Sequence, residues 1–273
     1  MKRLVNFVVF SNIWISLGAV GVTLTTFLFV NIVIDYYFLA LVFFATLFAY
    51  NLQNLAHRDF FKERSKQSLW IKSNYNLLKW ITFFSFLTCL FLSIFLMNYF
   101  ILFISFPFLC LVFFYRNNFL EKIQLRNIPF LKIILISTCW SFTCAVLPQL
   151  IFKNSVDWQI IFTIFLYVLA ITIPFDLRDM FLDNSKISTF PQLLGAKYAY
   201  IMSHLIIIGL FFNAFSYNLY GLCVFFIVTS LVLIPSINRK KEFYYLIILD
   251  GLLIIFPIFV LIQFMRINYI SLF

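Results

Sequence analysis

The sequence predicts an all-α fold, a polytopic membrane bundle of about nine transmembrane helices, and three observations carry that prediction. Of 273 residues, 64% are apolar, 22% aromatic and only 11% charged, whereas a soluble domain is about 45–50% apolar and about 25% charged. The apolar residues form long uncharged runs, as in 83–97 and 99–114; strands of an outer-membrane barrel would alternate apolar with polar. A spanning helix uses roughly 20 apolar residues, so short loops leave no room for a sizeable soluble unit. A water-soluble globule and a membrane β-barrel are both excluded, and the whole of 1–273 reads as a single transmembrane domain.

The spans follow in order. The first, 4–30, comes after Lys2 and Arg3; it is longer than a signal peptide's apolar core and has no small-residue cleavage site, so it is expected to remain as a span. A short connection at 31–35 leads to 36–56. The next apolar runs are 77–97 and 99–115, separated only at 98, then 130–152 and 156–175 across 153–155, 197–215 and 218–235 across 216–217, and 243–265. The remaining connections, 57–76, 116–129, 176–196 and 236–242, are longer and polar, and they hold the informative chemistry.

Charge assigns the sides. The net charge of +10 would suggest nucleic acid in a soluble protein, but here membrane topology explains it, because cytoplasmic loops and helix ends collect Lys and Arg. Lys2, Arg3, Arg58, Lys62, Arg64, Lys66, Lys72 and Lys79 fall on one side of the nine-span layout. Arg116, Lys122, Arg126, Lys132, Arg178, Lys186, Lys197, Arg239, Lys240 and Lys241 join them, leaving only Lys153 and Arg266 opposite. The N-terminus and the long loops are therefore expected in the cytoplasm and the C-terminus outside, which requires an odd number of spans. Cys89, Cys110, Cys139, Cys144 and Cys223 lie in apolar runs without Cys-x-x-Cys spacing, and read as buried free thiols.

Acids are scarce, so their clustering is informative. Asp176, Asp179 and Asp183 fall within eight residues directly after a span. On a helix at about 100° per residue, Asp179 lies about 60° and Asp183 about 20° to the same side of Asp176, so the three share a face. Like charges that close to hydrocarbon require a compensating cation, either Arg178 or a divalent metal. On spacing alone, a solvated helix end at the interface accounts for the cluster equally well.

The continuation Ser188-Thr189-Phe190-Pro191-Gln192-Leu193-Leu194-Gly195-Ala196-Lys197 distinguishes the two. Together with the acids it resembles the second aspartate-rich motif of the UbiA superfamily of intramembrane prenyltransferases, Asp-x-x-Asp-x-x-x-Asp followed by a Thr-Leu-Pro-x-x-x-Gly block, with one Leu-to-Phe exchange. A first motif, Asn-x-x-x-Asp-x-x-x-Asp, is expected at the end of span two. There Asn51 and Asp59 match in register, and Leu55 replaces the middle aspartate. Helical geometry groups Asn51, Asn54 and Arg58 on one face, so Arg58 could contact a diphosphate directly. The family's Tyr-x-x-x-Lys after span four is displaced, with Phe119 four residues after Tyr115 and Lys122 at seven. No Arg-Pro pair opens the first span, where Asn6, Ser11 and Asn12 are the polar candidates.

The resemblance implies a UbiA-like bundle that transfers a polyprenyl group from its diphosphate to an aromatic or other lipid-soluble acceptor. Asp59, Asp176, Asp179 and Asp183 would be catalytic residues and ligands of Mg²⁺. Asn51, Asn54, Arg58, Arg178, Lys122, Lys186 and Tyr115 would bind substrate, and membrane lipid would surround the bundle. The alternative is a non-catalytic relative that binds isoprenoid lipid or a membrane partner, which Leu55 favours. A small-molecule transporter is a remoter reading, with Asp250 its isolated intramembrane acid. His57 could accept a proton but reads better as an interfacial polar residue, and His204 as a hydrogen-bonded packing residue. No Gly-rich phosphate loop, zinc spacing or nucleophile elbow is present.

Overall fold

A computed structural model describes residues 2–56, 65–114, 130–180, 190–238 and 240–270. Helices are α1 (Lys2–Phe10), α2 (Ile13–Phe29), α3 (Tyr36–Ala56), α4 (Lys66–Ser73), α5 (Tyr75–Leu96), α6 (Tyr99–Phe114) and α7 (Leu131–Ser141). They continue with α8 (Leu147–Phe152), α9 (Trp158–Met180), α10 (Phe190–Leu194), α11 (Ala196–Ser216), α12 (Tyr220–Leu233) and α13 (Asp250–Ile270). A π turn, Phe142–Val146, joins α7 to α8, and another, Tyr244–Leu249, opens the span that α13 completes. Among the described residues, seven helical segments are long and apolar enough to cross a membrane, and α1 with α2 make an eighth if the bent pair is one span. Helix α6 is a shorter apolar helix of 16 residues, so each expected run has a helical counterpart. The chain is an integral, multi-pass membrane protein.

Local chemistry sets the boundaries. Asp35 Oδ1 accepts a hydrogen bond from Phe38 N–H (2.7 Å) at the start of α3, and Asn98 Oδ1 accepts from Ile101 N–H (2.9 Å) at the start of α6. The tight connections carry Asn31 (φ 57°), Asn154 (φ 53°) and Asn218 (φ 58°), all left-handed, a conformation that asparagine tolerates better than other non-glycine residues. Asn12 (φ 66°) does the same inside the first expected span, and there the chain bends by 61° between α1 and α2. Ser11 and Asn12 are the polar pair at the bend, but in a sequence two polar residues fit a straight span equally well.

Packing closes a ring. Helix α2 packs on α13, α13 on α12, α12 on α11, α11 on α9, and α9 on α7, whose π turn returns to α2; α3 packs on α2 and α5, with α6 beside it. Two glycines permit the closest approaches. A Cβ on Gly21 would lie 2.4 Å from Leu253 O, and one on Gly221 would lie 2.2 Å from Phe259 O, the small-residue contact that helix packing in lipid favours. Tyr167, Phe225, Phe226 and Phe256 fill the ring's centre, with Phe225 and Phe256 stacked at 4.2 Å. Phe84, Phe103 and Phe212 project outward and are exposed, as lipid-facing residues are. All five cysteines are free thiols.

Candidate functional site

The C-terminal end of α9 is built around Pro174. A proline inside a helix has no N–H to give the carbonyl four residues earlier, here that of Ala170. Ser203 Oγ, from α11, donates to Ala170 O at 2.7 Å, and both residues are buried. The neighbouring helix thus supplies the missing donor, and α9 continues for one more turn and a half to present Asp176, Arg178 and Asp179.

Asp176 and Asp179 converge on one cation. The ammonium of Lys132, in the first turn of α7, donates to Asp176 Oδ1 and, at 2.8 Å, to Asp179 Oδ2. Arg178 donates to the other oxygen of Asp179 through Nη2 (2.8 Å) and Nε (3.1 Å). Its guanidinium also lies 5.4 Å from the ring centres of both Phe175 and Tyr245, a cation–π arrangement. The charges of Glu242 and Asp250 act on Arg178 too, and Asp250 is buried at the head of α13. A positive side chain at a helix N-terminus opposes the helix dipole, so the two carboxylates also offset an unfavourable position for Lys132. Arg178 is thus one compensating cation, as expected, and Lys132 is the principal one.

Asn51, from the first motif, does different work. Its Nδ2 donates to Ser11 O (3.0 Å) and its Oδ1 accepts from Asn12 Nδ2 (2.6 Å). Both ends of the amide therefore clasp the bend between α1 and α2. Asn54 Nδ2 is buried without a hydrogen-bond partner, as is Ser11 Oγ. Leu55 packs beside Ile71 and Leu78 of α4 and α5. From the bend, Trp14 Nε1 reaches Ile247 O in the second π turn (3.1 Å), and Tyr245 of that turn faces Arg178. These contacts link the end of α3 to the end of α9 through the first and last spans. Glu242 accepts hydrogen bonds from the N–H groups of Lys66 and Gln67 (both 3.2 Å) at the start of α4. Phe10 lies 5.5 Å from Phe243 and 6.1 Å from Trp70, so α1, α4 and the segment before α13 cover this end together.

An apolar cavity of about 240 Å³ lies between α3, α5, α6 and α7. Tyr50 and Gln53 line it beside Asn51, and Leu135 and Ile136 line it one turn along α7 from Lys132. Phe108 and Phe142 stack on its wall at 3.7 Å, and Trp140 Nε1 donates to Tyr50 Oη (3.2 Å). Of the residues expected at the site, Asp59, Arg58, His57, Tyr115, Lys122, Asp183 and Lys186 lie outside the described residues. His204 is hydrogen-bonded to Ser230 Oγ through Nδ1 (3.0 Å) and packs against Tyr200, consistent with a packing role. Among the described residues no group of three or more His, Cys, Asp or Glu gathers. The ammonium between Asp176 and Asp179 nevertheless stands in for a cation, and hard carboxylate oxygens are the donors Mg²⁺ takes, usually one or two of them with substrate phosphates and water completing the shell. These two residues fit such an ion.

No family model matches the sequence, and no curated protein does. Among solved structures, the apo structure of a UbiA homolog from Aeropyrum pernix K1 superposes with a TM-score of 0.58, at 16% identity, over 94% of this chain and 97% of that one. The chain has a UbiA-like fold. The likeness extends over nearly the full length of both proteins. Sequence reasoning missed Lys132, which it counted only toward topology, and Ser203 and Glu242, which it did not single out. The one available signal was the pair of adjacent acids, which demanded a cation from somewhere.

Proposed function

We propose that the chain is an intramembrane prenyltransferase-like protein, one transmembrane domain that takes a polyprenyl group from its diphosphate and transfers it to an aromatic or other lipid-soluble acceptor. The observation that carries this reading is the convergence of Asp176 and Asp179 on one cation, a turn of helix from an apolar cavity. That pairing suits an amphiphile with a charged head and a hydrocarbon tail, and neither part alone would need both. Asp176 and Asp179 would hold Mg²⁺, with Asp183 and Asp59 as further ligands, while Arg178, Lys132, Lys122, Lys186 and Arg58 would contact the diphosphate. Asn54, whose Nδ2 is an unused buried donor, and Tyr115 would also bind substrate. When bound, Mg²⁺ supplies neutralisation of the charge that builds on the diphosphate as the carbon–oxygen bond breaks. Arg178 stays held by Asp179 and two rings, which orients its remaining N–H groups; the surrounding helices exclude water from an allylic cation. The N-terminus and long loops would face the cytoplasm and the C-terminus the exterior.

A second reading, a non-catalytic protein that binds isoprenoid lipid, is favoured by Leu55, an apolar contact of Ile71 and Leu78 where the motif has a carboxylate. The deciding experiment incubates purified protein with labelled polyprenyl diphosphate, Mg²⁺ and a panel of aromatic acceptors. Labelled product and released diphosphate support transfer. Mg²⁺-dependent binding without product in wild type, with product from Leu55→Asp, supports a protein that kept the fold and lost the reaction. Absence of Mg²⁺-dependent binding in both rejects the catalytic reading.

A further inference from the structure

We infer that Lys132 is a tethered counter-ion that a divalent cation must displace, so that the ion enters this site together with an anion and not alone. The inference rests on the reading of Asp176 and Asp179 as cation ligands, and it follows from charge and exposure. Lys132 is hydrogen-bonded to both Asp176 and Asp179, and Arg178 to Asp179, so two cations already serve this pair of carboxylates. A lone divalent ion on the oxygens that Lys132 holds would sit against both cations, and like charges that close repel, the more so beside hydrocarbon. It would also have to break the charge-assisted bonds that Lys132 makes to these two carboxylates, since the same oxygens serve ammonium and metal.

The exit is built in. The Lys132 side chain is 15% exposed and Asp176 2%, so the ammonium reaches the buried carboxylate from the open side. A flexible four-carbon stem lets it swing away without moving either helix. A diphosphate arriving with the ion places negative charge among these cations and offers the released ammonium new acceptors. Ion and anion then bind with positive coupling, and by linkage each raises the other's affinity by the same factor. Arg178 cannot play this part, because its fork is fixed on Asp179 Oδ1 and against Phe175 and Tyr245.

The test uses the purified full chain in micelles, with Mn²⁺ as a spectroscopic probe and inorganic diphosphate as the anion. Lys132→Gln removes the competitor, and should bind Mn²⁺ alone about tenfold more tightly than wild type or better. Lys132→Arg keeps the charge and adds a planar fork for the two carboxylates, and should bind Mn²⁺ more weakly than wild type. At buffered free Mn²⁺, diphosphate should raise the affinity of wild type for the ion more than that of Lys132→Gln. Unchanged or weaker Mn²⁺ binding by a folded Lys132→Gln protein overturns the inference. Should that variant aggregate, Mn²⁺ binding by Lys132→Arg at or above the wild-type affinity overturns it equally. Failure of wild type to transfer a polyprenyl group, with the Gln and Arg variants still shifting Mn²⁺ affinity in opposite directions, would reject the enzymatic reading and leave this one standing.

Discussion

Replacing Ser203 with alanine should destabilise the protein only because Pro174 is where it is. Ser203 Oγ donates to Ala170 O at 2.7 Å inside the bundle, and that carbonyl has no helical N–H partner because residue 174 is proline. Ser203→Ala strands a buried acceptor, which costs about 1–3 kcal/mol. In a Pro174→Ala background the N–H at 174 can reach Ala170 O as in any helix, so the same serine substitution should cost less than about 0.5 kcal/mol there. The difference, a coupling of about 1–2 kcal/mol, is what a double-mutant cycle isolates. Equilibrium unfolding in mixed micelles of the four proteins measures it. Equal losses in both backgrounds would refute the idea that the serine exists to serve the proline, and would reduce the contact to ordinary helix packing.

The other predictions concern the charged end and the topology. Asp179→Asn takes a partner from both Lys132 and Arg178, so it should lower stability by about 1.5–3 kcal/mol as well as abolish transfer; unchanged unfolding together with unchanged turnover would contradict the bridging role. Asn51→Ala removes both bonds that clasp the bend at Asn12 and should cost about 2 kcal/mol or more. Its measure is thermal unfolding in detergent, and a loss below about 0.5 kcal/mol would show that the bend holds without the clasp. Single cysteines in place of Lys66 and Lys240, in a cysteine-free background, should label from the cytoplasm and one at Phe273 from outside; labelling of all three from one side would overturn the nine-span arrangement.

Much of this architecture is legible in the sequence, because lipid imposes length and polarity on each helix independently. The tight connections, for example, are visible as short polar breaks, and Asn31, Asn154 and Asn218 close them. The convergence of Asp176 and Asp179 likewise follows from their spacing of three. What escapes is whatever depends on residues far apart in the chain. Lys132 lies 44 residues from Asp176, and Glu242 lies 176 residues from the amide it caps at Lys66; in the sequence each is simply one more charge at a loop. The bend at Asn12 escapes for another reason, since Ser11 and Asn12 read equally well as polar positions within one straight span. Asn51 shows that a motif position can be read correctly as polar while its partners, Ser11 and Asn12, lie in another span.

The packing of α2 against α13 has a consequence for biogenesis. Helix α2 leaves the ribosome well before α13, yet Gly21 presses against the backbone of Leu253 and Trp14 bonds to Ile247 across 233 residues. Throughout synthesis the small-residue face of α2 waits for its partner, and the capping of α4 by Glu242 waits with it. Ring closure therefore waits for the synthesis of α13, and a nascent chain stalled before it would present an open seam to membrane quality-control proteases, although the spans between α2 and α13 are already made.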